Sequence, residues 1–186
     1  MRLFLAVFPP EGTQALAGSV IRSLKRPRDG VTWVRSENLH YTLRFIGDVG
    51  EIEARQVEDA AFEAASLHKS FGATLGPPGA FPTAKRARVL WLGLLDGVEP
   101  FAQLAHSLEV ALERRGFERD AREFTAHLTL GRIREPADWT STLLHAHWPE
   151  RSADARFTVG SIDVVGSELG PGGSRYSIRA TAPLAD

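Results

Sequence analysis

Two hydrophobic rhythms take turns along this chain: short runs in which apolar and polar residues alternate, and longer stretches in which apolar residues recur three or four apart. "RLFLAVF" is a short β-like run, and "PPEGTQALAGSVIRSLKR" follows with proline at a helix start and apolar residues at helical spacing. "VTWV" and "LHYTLRFIG" predict two strands broken by the polar turn "RSEN", and "EIEARQVEDAAFEAASLHKS" predicts the clearest amphipathic helix. Strands at "SFGATLG" and "ARVLWLGLL" flank the loop "PPGAFPTAKR". The second half continues with a helix over "VEPFAQLAHSLEVALERRG" closed by Gly116, a strand over "FTAHLTLGRI" and a shorter helix over "PADWTSTLLHAHW". The last strands are "RFTVGSIDVVGSEL" and "SRYSIRATAPL".

Strand and helix order recur around one repeated pattern, His-x-Thr-Leu, at residues 40–43 and again at 127–130. The two histidines are 127 − 40 = 87 residues apart, close to half of the 186-residue chain, and an internal duplication explains this most economically. The chain therefore reads as one bilobal α+β domain over residues 1–186, one motif in each lobe, with terminal strands that exchange between the lobes.

Composition narrows the class. The chain is 43% hydrophobic and 24% charged, with a formal net charge of −1, a globular balance with enough apolar residues for a real core. Near-neutrality argues against a long basic track, so a nucleic-acid partner would be short or terminal, not a duplex. There is no cysteine, which removes disulfides, thiolate nucleophiles and cysteine metal sites, and is compatible with a reducing cytoplasm. The opening apolar run stops at Pro9 and Pro10 without a small-residue cleavage site, so it reads as a strand, not a signal peptide. No apolar run approaches the roughly 18 residues that would span a membrane.

Strand alternation places His40 and Thr42 on one face with Tyr41 and Leu43 on the other, and likewise His127 and Thr129 opposite Leu128 and Leu130. If a pseudo-two-fold axis relates the halves, two imidazoles and two hydroxyls meet across a groove. Displacement at phosphorus needs a base for the nucleophile, an acid for the leaving oxygen and donors for the non-bridging oxygens. Two imidazoles titrating near ~6.5 supply the first two, and threonine hydroxyls donate to phosphate. A strained cyclic phosphate would lower the demand on such a site.

At these residues the chain resembles the two-histidine (2H) phosphoesterases, and among them the RNA 2′,3′-cyclic phosphodiesterases first described as 2′-5′ RNA ligases. "RLFLAVFPP", "WVRSENLHYTLRFIG", "GAFPTAKRARVLWLGL", "FTAHLTLGR" and "GSELGPGGSRYSIRATAPL" all sit where that family places similar segments. The resemblance implies two similar lobes related by a pseudo-two-fold axis, each a mostly antiparallel sheet with helices on its outer face and the active-site groove between the sheets. It further implies a metal-independent enzyme without cofactor that opens 2′,3′-cyclic phosphate RNA ends to a 2′-phosphate and can join ends through a 2′-5′ linkage. Catalysis maps onto His40 and His127, phosphate contacts onto Thr42, Thr129 and Arg132, and base stacking onto Phe45. The expected partners are RNA 3′ ends or small cyclic-phosphate nucleotides, met by a cytoplasmic monomer with no membrane association.

The residues themselves add detail. Arg132 offers the forked donors that suit phosphate, whereas the first motif ends on Arg44 and Phe45, so the halves differ there and the nucleotide has a preferred direction. That asymmetry assigns His40 as acid to O3′ and His127 as base for water. Arg44, Lys85, Arg86 and Arg88 read as solvated surface, Tyr176 as core or cleft wall, and His68 and His106 as helix surface or boundary. His145 and His147, two apart on a helix, point to different faces and make a poor metal pair. Other readings are a phosphodiesterase for a small nucleotide such as ADP-ribose cyclic phosphate, a non-catalytic RNA-end-binding module, and a metallohydrolase, for which no ligand cluster is present in the sequence.

Overall fold

The first strand, β1 (Arg2–Val7), is buried along almost its whole length because both of its faces are covered. Leu3, Leu5 and Val7 belong to the main core with the helices, while Phe4 and Ala6 join Val165 in a small cluster on the opposite face. The computed structural model describes residues 1–148, 152–170 and 173–185. After β1 come α1 (Glu11–Leu24), β2 (Val31–Trp33), β3 (Tyr41–Asp48), α2 (Glu51–Ser66), β4 (Phe71–Phe81), β5 (Ala87–Asp96) and α3 (Val98–Glu113). β6 (Leu128–Ala137), α4 (Thr140–Leu144), β7 (Arg156–Val159), β8 (Ser161–Gly170) and β9 (Gly173–Pro183) complete the α+β fold.

The strands form two antiparallel halves. β3, β1, β8 and β9 make the first, and β7, β4, β5 and β6 the second, with β2 laid along β6. Among the described residues, the expected pair of sheets is one continuous nine-stranded sheet, because the halves join edge to edge through a single antiparallel pair, Tyr41 opposite Leu128. Those two residues follow the two histidines at equivalent places in the repeated motif. An antiparallel pair between equivalent residues has a local two-fold axis through its centre, which relates the order β3-β1-β8-β9 to β6-β5-β4-β7. The inward sides of α1, α2 and α3 all enter the main core on one face of the sheet, where alanines at 54, 60, 61, 64 and 65 let α2 lie close to α3. The opposite face, which carries Phe4 and Ala6, is left for the site.

Several boundaries differ from those expected. β4 runs through Pro77 and Pro78, which read as loop. Beyond Thr74 this strand pairs only with β5, and its register slips between Leu75 and Pro78, so the missing N–H groups break no ladder. The last apolar stretch splits at Gly160 into β7, which pairs with β4, and β8, which pairs with β1, so the chain crosses there from one half to the other. α4 is only five residues, leaving His145 and His147 outside it; His68 lies just past α2, where its Nε2 meets Ser107 Oγ at 2.8 Å. Residues 171–172 of the C-terminal segment "GSELGPGGSRYSIRATAPL" lie outside the described residues. No helix of the described residues is long and apolar enough to cross a membrane.

Gly131, directly after the second motif, has no room for a side chain: a Cβ there would fall 2.6 Å from Val31 Cγ1 and 3.0 Å from Trp33 Cε3 on β2. Gly131→Ala should therefore push β2 away and cost about 1–3 kcal/mol in urea unfolding, the usual range for overpacking. Gly72→Ala, where nothing lies within 4 Å, should cost less than about 1 kcal/mol. Equal losses at the two positions would mean that β2 does not press on the motif.

Candidate active site

Both histidines stand immediately before a strand, His40 ahead of β3 and His127 ahead of β6, where the chain has just been fixed by the Tyr41–Leu128 pair. Tyr41 and Leu128 are fully buried, which anchors the backbone on the core face and turns the imidazoles to the other. Each ring makes the same bond: His40 Nδ1 lies 2.7 Å from the Asn38 carbonyl, and His127 Nδ1 lies 2.7 Å from the Thr125 carbonyl, both two residues back. A carbonyl only accepts, so each Nδ1 carries the hydrogen and each neutral ring keeps its lone pair at Nε2. The two bonds fix one tautomer in both halves.

The surroundings of the rings differ. His40 is packed among Phe4, Phe8 and Tyr176, with ring centroids 4.9, 5.3 and 5.4 Å away, whereas His127 meets one ring, Phe81, edge-on at 5.0 Å. Burial is the main cause that pushes His40 down to about 4; the Asn38 carbonyl favours the proton, while the positive charges of Arg132 and His127 oppose it. His127 is also lowered, first by burial and then by Arg132, with the Thr125 carbonyl working the other way. One guanidinium thus acts on both imidazoles.

Thr42, Phe45, His127 and Arg132 line a cleft of about 560 Å³ where β3 and β6 splay apart, closed on one side by α3 and by residues 119–125. His40 and Thr129 are half-buried and are not among the residues lining it. In register, Thr42 stands opposite Ala6 and Thr129 opposite Trp91. Phe45 is 45% exposed, a large apolar ring left open in the cleft wall. Among the described residues, no three His, Cys, Asp or Glu side chains converge as metal ligands.

Arg44 departs from its reading as surface. Its side chain is only 14% exposed and pairs with Glu109 of α3 at 3.0 Å and Asp120 at 3.6 Å, while its guanidinium also donates to the carbonyls of Phe45 and Glu118. Arg122, with a smaller contribution from Arg44, holds Asp120 at about 2, so it stays charged. Arg44 thereby ties β3 to the segment that walls the cleft and leads to His127. Lys85, Arg86 and Arg88 are exposed and do not line the cleft, and His106, exposed on α3, does. No local pattern in the sequence marks Phe4, Phe8 and Tyr176 as partners of His40. For Tyr176 the one signal in the sequence is its place in the last strand.

In an NMR titration of the free protein, the His40 and His127 ring signals should turn over below ~6.5, His40 near pH 4. A bound phosphate monoester should move both midpoints upward, since an anion favours the imidazolium. Linkage fixes the sign for stability: the unfolded chain takes up a proton at His40 that the fold resists, so stability falls as pH drops from ~6.5 towards 4, by on the order of 3 kcal/mol. His40→Gln should remove that part of the slope in urea unfolding; an unchanged slope would place the cause elsewhere.

A family model described as the 2′-5′ RNA ligase superfamily matches residues 9–171. An RNA 2′,3′-cyclic phosphodiesterase of Methanothermobacter thermautotrophicus is 32% identical over 177 residues, 95% of this chain and 95% of that protein. Among solved structures, TT0787 of Thermus thermophilus superposes with a TM-score of 0.81 at 29% identity, covering 99% of this chain and 98% of that one. E. coli LigT complexed with 3′-AMP superposes with a TM-score of 0.79 at 24% identity, covering 100% of this chain and 98% of that one, a likeness of fold.

Proposed function

The chain belongs to the 2′-5′ RNA ligase superfamily, and we propose that it is a metal-independent phosphodiesterase that opens RNA 2′,3′-cyclic phosphate ends to a 2′-phosphate. The observation that carries this reading is the matched pair of Nδ1–carbonyl bonds, which gives two imidazoles the same tautomer on the two sides of one local two-fold axis. An in-line displacement at phosphorus has the same symmetry, with one oxygen entering and another leaving on opposite sides. The name of the Methanothermobacter relative agrees with it, and E. coli LigT, alike in fold, binds a nucleotide, 3′-AMP.

The symmetry is broken five residues past each histidine, by Phe45 in the first half and Arg132 in the second. Phe45 stacks on the terminal base, a contact that accepts any base, and brings the ribose O3′ towards His40. Arg132 holds non-bridging oxygens near His127, with the Thr42 and Thr129 hydroxyls as further donors. His127 Nε2 then takes a proton from water, water oxygen bonds to phosphorus, the P–O3′ bond breaks, and O3′ takes a proton from His40. At neutral pH both rings are unprotonated in the free protein. The phosphodiester anion itself supplies the field that lets His40 hold its proton.

The equivalence of the two motifs, their carbonyl bonds and their central pair supports an internal duplication, with the antiparallel pair β8–β9 completing the first half. We place the protein in the cytoplasm as a monomer acting on RNA 3′ ends or on nucleotides that carry a cyclic phosphate.

Offered RNA ending in a 2′,3′-cyclic phosphate in the presence of a chelator, the protein should release the 2′-phosphate isomer. His40→Ala and His127→Ala should each lower the rate by roughly 10²- to 10⁴-fold, the worth of one proton-transfer role, without loss of the folded circular-dichroism signal. Near wild-type turnover by either variant, or a 3′-phosphate product, would reject the mechanism.

A further inference from the structure

The strand beside the His127 strand turns one large ring to the site face. Trp91 alternates with Leu90 and Leu92, both fully buried in the main core, so its indole lies on the opposite face. In register it stands opposite Thr129 on one side and Gly79 on the other. A Cβ at Gly79 would fall 2.4 Å from its Cη2 and 2.5 Å from its Cζ2, and a Cβ at Gly93 3.2 Å from its Cζ3. The six-membered ring therefore lies across both glycines, against the sheet. Its Nε1 is buried and has no hydrogen-bond partner among the described residues, so what the half-buried indole presents is carbon. Phe81 extends the surface from a centroid 4.9 Å away and meets His127 edge-on.

The first half uses its rings differently. There Phe4 and Phe8 pack against His40, and the residue opposite Thr42, in the place equivalent to Trp91, is Ala6. Rings in the first half hold a histidine. In the second half the largest ring sits where the first has an alanine, touching Phe81 and not the imidazole.

We infer that Trp91 is the stacking surface for a second nucleoside, the one whose 5′-oxygen stands where water stands in hydrolysis. The inference rests on the proposed function, which sets the terminal nucleoside against Phe45 and the entering oxygen on the His127 side. In joining, the 5′-hydroxyl of the second nucleoside gives its proton to His127, its oxygen bonds to phosphorus, the P–O3′ bond breaks, and O3′ takes a proton from His40. The product is a 2′-5′ phosphodiester with a free 3′-hydroxyl, formed with no co-reactant; cleavage of that linkage is the same path reversed. Val89, in register with Arg132, and Phe81 already line the cleft, so the surface is continuous with it.

Two readouts test this. The first is the ratio of kcat/KM for cleaving 2′-5′-linked adenylyl-adenosine to kcat/KM for hydrolysing adenosine 2′,3′-cyclic phosphate, which has no second nucleoside. Trp91→Ala should lower that ratio roughly 5- to 100-fold, the range of one base–aromatic stack, and Trp91→Phe should restore most of it. Parallel losses on both substrates would make Trp91 a packing residue and overturn the inference. The second is adenosine added to ¹⁵N-labelled wild-type protein: the Trp91 indole signal, assigned by its loss in Trp91→Phe, should shift saturably while those of Trp33, Trp139 and Trp148 stay. An unmoved Trp91 signal at saturating adenosine overturns the subsite. This readout needs no turnover, so a protein that leaves cyclic phosphates intact would refute the proposed function while the indole signal still decides the subsite.

Discussion

A single antiparallel pair, Tyr41 opposite Leu128, sets where everything else in the cleft must go. Both residues are wholly buried, so neither half-sheet can slide along the other without lifting an apolar side chain out of the core. Because they occupy equivalent places in the repeated motif, the pair carries a local two-fold axis, and the histidine just before each is carried to the mirrored side of the same opening. After this one pair the strands diverge, β6 turning to β2 and β5 while β3 stays with β1, and the divergence makes the cleft.

On that symmetric frame a few substitutions give direction. Phe45 and Arg132 occupy equivalent positions with opposite chemistry, one apolar and half open, the other cationic and acting on both imidazoles. The aromatic residues are divided too, clustered around His40 in one half and laid on glycines in the other. Arg44, which corresponds to Gly131 in the second half, uses its place to clasp α3 and the segment before His127. The Arg44 side chain thus spans from the strand of one histidine to the wall that precedes the other.

The periodicity of the chain was enough to recover the order of strands and helices, and the repeated His-x-Thr-Leu located both imidazoles, because both signals are local. What it hid was long-range. The rings around His40 come from β1, the turn after it and β9, and Arg44 meets acids more than 60 residues away, so no spacing rule reveals them. Pro77 and Pro78 misled for a related reason: proline breaks a strand with neighbours on both sides, and only the sheet order shows that β4 has one there. The histidines were expected near their ordinary pKa, and burial, invisible in sequence, lowers both.

The central claim is that two imidazoles, lowered in the free protein and raised by the substrate's own charge, share the proton transfers. Its most direct test is the pH dependence of cyclic-phosphate hydrolysis on an RNA end in the presence of a chelator. The expected result is a bell for kcat/KM with its optimum on the acid side of ~6.5, since that constant reports the free protein, and a bell for kcat displaced to higher pH by the bound anion. Its limbs belong to the pair and not to either ring alone. A rate that climbs steadily to about pH 10 with no falling limb would contradict it.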